Sequence, residues 1–416
     1  MKNYSNISVF SPVLIAGSLI LLISFAIRST FGLFQIPIAE EFLWARSEFS
    51  LAIAVQNLAW GIGTPLFSAF AEKYGDRKAI TIGLLLYAIG VFISSTASSP
   101  EAHQLLNVLI GFGIAGSGFG PILAVVGRAA SDEKRSLALG ITTAAGSAGQ
   151  VIGPPFAAAL LSFLPWSSVF EIFAIISLLT IILVPVLKSN SKRKFIKSDE
   201  KLSEALKEAL QDPTYIMLFL GFFSCGFQLA FITAHFPAFI AETSSPIIEG
   251  SLISLVCNSV EGLGAFSMAL IGFFNILGCL LAGAMGKGYT KKYLLSFIYS
   301  GRTIAAILFI ILPITPMSIA IFSIVMGALW LATVPLTSGI IGHIYGIKFM
   351  GTLYGIVFLS HQIGSFVGVW LGGLFYDIYG SYDLVWWVGI GVGAFSAIIH
   401  LPIKEKPLME RKAITI

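Results

Sequence analysis

The run SPVLIAGSLILLISFAIRSTFGLFQIPI (residues 11–38) carries one full charge, Arg28, and the next acid along the chain is Glu40. The hydrocarbon core of a bilayer, about 30 Å thick, takes about 20 apolar residues in a helix. The run is therefore long enough to cross. No small-residue cleavage site follows a short apolar core, so it reads as a retained helix and not a leader. A guanidinium does not shed its proton, and a charge at the bilayer centre costs at least ~3 kcal/mol. Such a group is kept where it faces a watery cavity, snorkels to the interface or pairs with backbone carbonyls, and the first case marks a site.

The rest of the chain has the same character. Of its 416 residues 56% are hydrophobic and 11% charged, where a soluble domain has about 25% charged. Eleven further apolar runs lie at 50–70, 79–97, 103–126, 137–161, 168–187, 214–240, 264–284, 294–312, 317–342, 352–375 and 384–402. Twelve spans put both ends on one side, and 22 of the 25 Lys and Arg then fall on that side. Only Arg46 falls opposite, with Arg28 and Arg302 inside spans. Basic residues gather on the cytoplasmic side, so both termini are expected in the cytoplasm. The net charge of +4 follows from this asymmetry and calls for no nucleic-acid partner. Three cysteines without ligand or disulfide spacing give no metal site and no redox chemistry.

Two offsets reveal an internal repeat. Gly140, Gly149 and Gly153 recur 215 residues later as Gly355, Gly364 and Gly368, and Arg77 matches Lys292 at the same offset. At an offset of 200, SFAIRSTFGLFQIP (24–37) aligns with SCGFQLAFITAHFP (224–237), pairing Arg28 with Gln228 and Gln35 with His235. The chain thus divides into 1–187, a linker at 188–213 and 214–416. Within the linker, DEKLSEALKEAL sets Leu202, Ala205, Leu206, Ala209 and Leu210 on one face of an amphipathic helix.

These residues carry a family resemblance. Two six-span halves in parallel repeat, a long central loop and the loop FSAFAEKYGDRK (67–78) resemble the major facilitator superfamily. The resemblance implies an all-α membrane protein of twelve transmembrane helices arranged as two pseudo-symmetric six-helix bundles. The loop after span 2 resembles that superfamily's Gly-x-x-x-Asp-Arg-x-Gly-Arg-Arg motif at Glu72, Lys73, Gly75, Asp76 and Arg77, with Ser68, Glu72 and Asp76 as departures, and the resemblance implies a conformational gate latching the two halves at the cytoplasmic face. RSTFGLFQIPIAEEF and RSEFSLAIAVQNLAWG are similar to bacterial relatives of the monocarboxylate porters, with Arg28 in the place of that group's cation. The acidic and basic residues of animal members on span 8 correspond here to Asn275 and Cys279. By that resemblance the chain lies in the cytoplasmic (inner) membrane and acts as a monomer.

Spans 1, 4, 7 and 10 line the cavity in that superfamily, which makes Arg28, Gln228 and His235 expected lining residues. Arg28 would supply the fixed charge, and Gln228 and His235 neutral hydrogen bonds, a set suited to one small anion. Asn57 and Asn275 are expected at the cavity border or as glue between helices. Arg302 lies deep in span 9 and is read either as a second cation or as a structural pairing. No Asp or Glu is left at mid-membrane, so a co-transported proton would fall to His235 or His361. The resulting expectation is a secondary transporter of a small organic anion, foremost a monocarboxylate, working without a cofactor. The alternatives are an exporter of hydrophobic or cationic compounds and a non-transporting nutrient sensor. The first needs an acid in the cavity, and drug exporters carry an Arg on span 4 where this chain has Asn107. An enzyme would need a nucleophile, metal set or acid pair, and the sequence offers none.

Overall fold

A computed structural model describes residues 11–130, 135–187, 202–257, 259–346, 350–408 and 411. The twelve spans are α1 (Pro12–Phe42), α2 (Arg46–Tyr74), α3 (Asp76–Ser94), α4 (Pro100–Ala129), α5 (Arg135–Leu161) and α6 (Trp166–Val186), then α7 (Pro213–Thr243), α8 (Val260–Gly288), α9 (Lys291–Ile311), α10 (Pro316–Tyr345), α11 (Met350–Tyr379) and α12 (Asp383–Ile399). Among the described residues nine of these are long and apolar enough to cross a membrane. The other three are α2, α5 and α12. α2 and α5 pack along the opposite half, and α12 is 17 residues long. The linker helix, Leu202–Gln211, forms as the amphipathic pattern predicts, with Ala205 and Ala209 buried and Leu210 exposed. The Lys-rich start of the linker lies outside the described residues.

The two six-helix bundles repeat one packing scheme: α1 on α5, α2 on α4 and α3 on α6 recur as α7 on α11, α8 on α10 and α9 on α12. The repeated glycines explain why. A Cβ at Gly149 or Gly153 would collide with the backbone of α1 at Leu22 and Ala26. One at Gly364 or Gly368 would collide in the same way with α7 at Phe223 and Phe227. Small residues one turn apart let two membrane helices press backbone to backbone.

Besides α1, two spans expected to be continuous are broken, at equivalent places in the two halves. Pro121 and Pro335 have no N–H to give Ser117 and Leu331, four residues before. α4 accordingly breaks at Gly118 and α10 at Trp330–Ala332.

The halves meet along α2–α11 and α5–α8. Contact is tight at mid-helix, where a Cβ at Gly272 would stand 2.8 Å from the α5 backbone at Gln150 and Val151. Toward the face that carries the chain ends the seams part. Among the described residues a Cβ at Gly140 or Gly283 would meet no atom within 4 Å, and one at Gly355 would meet only Pro65, at 4.0 Å. Among the described residues the seams are closed toward the opposite face and apart toward the terminal face.

Candidate functional site

The first helical segment of α1 ends at Arg28 itself, followed by a turn, a 3-10 stretch at Phe31–Phe34 and a second segment from Gln35. Ser29 Oγ and Thr30 Oγ1 bond back to the carbonyls of Ala26 and Ile27 at 2.9 and 2.7 Å, tying down the broken turn. The last turn of a helix is its negative end and suits a cation. The triplet Arg-Ser-Thr therefore holds a charge at mid-span on a helix end it has itself created.

Arg28 Nη2 donates to Asn57 Oδ1 at 2.8 Å. Asn57 Nδ2 donates to Ile53 O at 3.0 Å, which turns the amide oxygen toward the guanidinium. The guanidinium carbon stands 4.7 Å over the Trp60 ring, an attractive cation–π placement. Arg28 Nε is buried and has no partner among the described residues. Among the described residues no carboxylate lies within salt-bridge distance of Arg28. The group faces a cavity between the halves, bordered by Gln56 and Asn57 on one side and by Ala230, Thr233 and Ala234 of α7 on the other. Its volume of about 10 Å³ holds about one water.

Above this cavity the halves are latched. Gln35 Nε2 lies 3.2 Å from His235 Nδ1, so two repeat-equivalent residues bond each other beside the pseudo-twofold axis. His235 Nε2 lies 2.7 Å from Val369 O, which can only accept; Nε2 therefore carries the proton and Nδ1 accepts from Gln35. At the opposite face Arg46 pairs with Glu242, donates to Tyr382 Oη at 3.0 Å and covers the Tyr376 ring at 3.8 Å. Asp377 accepts from the backbone N–H groups of Arg46 and Ser47 at 3.0 and 2.8 Å. A carboxylate of one half thus caps the N-terminus of a helix of the other.

Several expected site residues stand elsewhere. Gln228 faces the interior of its own bundle, donating to Gly389 O at 3.0 Å beside Phe231 and Trp386. Arg302 is fully buried against the break in α10: Nε and Nη2 donate to Leu329 O at 2.9 and 2.6 Å, and Nη2 also to Trp330 O. The charge is spent on carbonyls that the break leaves free, which is the structural pairing and not the second cation. Asn275 Oδ1 accepts from Leu331 N at the same break (3.0 Å), while Nδ2 reaches Ser147 and Gln150 of α5 at 3.1 and 3.3 Å. It is glue between the halves. His361 is sandwiched between Phe222 and Phe358 in the second half.

The loop expected to latch the halves makes its described contacts within the first half. Gly75, at φ +101°, makes the turn that only glycine takes readily. Asp76 pairs with Arg128, and Arg77 donates to Leu187 O and Pro185 O at 2.9 and 2.7 Å. The side chains of Glu72 and Lys73 fall outside those described. Lys292 repeats the role of Arg77, its Nζ donating to Leu401 O after α12 at 2.9 Å. With the halves parted at this face, each basic group binds the helix end of its own bundle.

Trp60, Thr233 and Gln362 were not singled out from the sequence. A Trp one turn from Asn57 on the same helix was the available signal for the first.

Twelve membrane helices in two bundles around a polar cavity define a multi-pass membrane carrier. The chain belongs to the Major Facilitator Superfamily, whose family model matches residues 17–346. Similar proteins include the uncharacterized MFS-type transporter YcxA of Bacillus subtilis (strain 168), 27% identical with 91% of each chain covered. Monocarboxylate transporter 13 of Bos taurus is 23% identical over 86% of this chain and 80% of its own. The hexuronate transporter of Bacillus subtilis (strain 168) is 21% identical over 79% and 81%. The fold matches a crystal structure of a bacterial homologue of the human lysosomal transporter Spinster in an inward-facing and occupied conformation. The TM-score is 0.71 at 15% identity, covering 96% of this chain and 97% of that one.

Proposed function

We propose that this transporter moves a small organic anion, a monocarboxylate, by rocking its halves, 1–187 and 214–416, about the Arg28 cavity. One observation carries the reading: the guanidinium of Arg28 faces the space between the halves, and among the described residues no acid pairs with it. A carboxylate entering from the open face would meet the Arg28 guanidinium, with Asn57 holding it in place and Trp60 beneath it. The names of two relatives, a monocarboxylate and a hexuronate transporter, support an acid as cargo. The cavity admits about one water, so an organic anion enters only when the halves separate further at that level. On this reading the open terminal face is cytoplasmic, in agreement with the basic residues gathered there. The Arg46 latch closes the outer face, and the loop at 72–77 closes the inner face in the opposite state. A coupled proton would travel on His235, whose release from Gln35 accompanies outer opening, or on the substrate carboxylate itself.

The test is uptake of labelled lactate, pyruvate and longer acids into proteoliposomes. Arg28→Ala should abolish uptake of every acid that the wild type accepts. Unchanged uptake in that variant would sink the proposal.

A further inference from the structure

Gln362 on α11 is fully buried, and among the described residues neither its amide oxygen nor its amide nitrogen has a hydrogen-bond partner. It stands at the seam between the halves: a Cβ at Gly61 on α2 would lie 2.6 Å from Gln362 Cβ and 3.0 Å from Cγ. α2 and α11 run antiparallel here, since Ser50 faces Gly373 toward the latched face and Pro65 faces Gly355 toward the open one. Gly61 follows Asn57 by one turn of α2. Gln362 therefore sits about 6 Å nearer the open face than the amide that holds Arg28. Ring contacts give the same register. Trp60, beneath Arg28, meets Phe358 at 5.2 Å, and Phe358 precedes Gln362 by one turn.

A buried amide with both ends unbonded is costly, and Leu or Met would fill the same space without that cost. An amide supplies donors and an acceptor together, the complement of a hydroxyl that gives one bond and takes another. Arg28 Nε is likewise buried and has no partner among the described residues, so unsatisfied groups stand on both halves at adjacent levels. We propose that Gln362 is a second contact of the anion site, reading a hydroxyl on the substrate about one helical turn from the carboxylate held by Arg28. The inference rests on the reading of Arg28 as the anchor. It narrows the substrate class to carboxylates hydroxylated along the chain. A short 2-hydroxy acid, with its hydroxyl on the carbon beside the carboxylate, cannot reach both groups at once.

The experiment compares binding of gluconate, hexanoate and lactate to the purified full-length protein and its variants, each checked for folding by thermal unfolding. Wild type should bind gluconate at least ~10-fold more tightly than hexanoate or lactate, the scale of one buried hydrogen bond that only the hydroxylated chain can complete. Gln362→Leu should cut the gluconate-to-hexanoate ratio by ~10-fold with hexanoate affinity unchanged, and Gln362→Met, which keeps an unbranched chain, should do the same. A ratio unchanged in both variants, or both acids weakened equally, would make Gln362 a packing residue and overturn the inference. Arg28→Gln separates the two levels of the argument. If it spares binding of both acids, or if wild type binds none of the three, the anchor reading fails and this inference with it. If it weakens both acids while Gln362→Leu leaves the ratio intact, the inference alone fails.

Discussion

Replacing Arg46 with Met should open the outer seam without touching the cavity. The substitution removes the ion pair to Glu242, the bond to Tyr382 and the contact over Tyr376, and leaves the backbone bonds to Asp377 in place. A partly exposed ion pair contributes about 0.2–1 kcal/mol, a hydrogen bond about 1 kcal/mol and an exposed cation–π contact about 0.5–1 kcal/mol. Together they amount to about 2 kcal/mol, which raises the population open at that face by about 30-fold. Ser50 is a suitable reporter, because it is fully buried beneath the latch and packed on Gly373. With Ser50→Cys in place, and the reactivity of the native cysteines subtracted, a membrane-impermeant maleimide should label the Arg46→Met variant about 30-fold faster than its parent. The exchange Arg46→Glu with Glu242→Arg should restore part of the protection. Equal labelling rates with and without Arg46 would refute the claim that this cluster holds the outer face shut.

Arg302→Met should leave the carbonyls of Leu329 and Trp330 unbonded, at a cost of about 2–4 kcal/mol, read as a fall of several degrees in thermal unfolding that Arg302→Lys partly reverses. Gly32→Ala places a Cβ against Thr233 O and 2.9 Å from Ala234 O; it should wedge α1 from α7, raise maleimide labelling at Ser50→Cys and slow transport. Burial alone would raise the Asp212 carboxyl, but Arg411, Tyr345 and the Thr214 N–H outweigh burial and hold it below the usual carboxylate range. A depressed folded-state value contributes stability above the ordinary pKa near 4 that is lost as pH falls through the depressed one. Wild type should therefore outlast Asp212→Asn in thermal unfolding at pH 7, and the difference should shrink below about pH 4.

The spans, the repeat and Arg28 were legible because each rests on a local property: apolar length, spacing of glycines, or a lone charge. The glycine offset matched Gly149 to Gly364, and the two meet backbone in equivalent places, on α1 and on α7. The match of Gln35 with His235 joined two residues that touch across the axis. The match of Arg28 with Gln228 did not. α1 breaks just after Arg28 and aims it at the seam, whereas α7 runs unbroken and turns Gln228 into its own bundle. Sequence alignment carries position along a helix but not rotation about it. The role of Arg302 needed the break in α10 to be recognised, and Pro335 was the available sign of it. Gln362 gives no sign in the sequence: an amide in a helix is ordinary, and only its lack of partners among the described residues distinguishes it.

The central claim is that Arg28 reads the negative charge of the cargo. The direct measurement is the affinity of purified protein for an accepted carboxylic acid against its uncharged primary amide, in wild type and in Arg28→Gln. One charge-assisted contact in a partly desolvated cavity is worth about 2 kcal/mol, so wild type should favour the acid by about 30-fold. Arg28→Gln should bind acid and amide alike. An acid preference that survives the loss of the guanidinium would contradict the account.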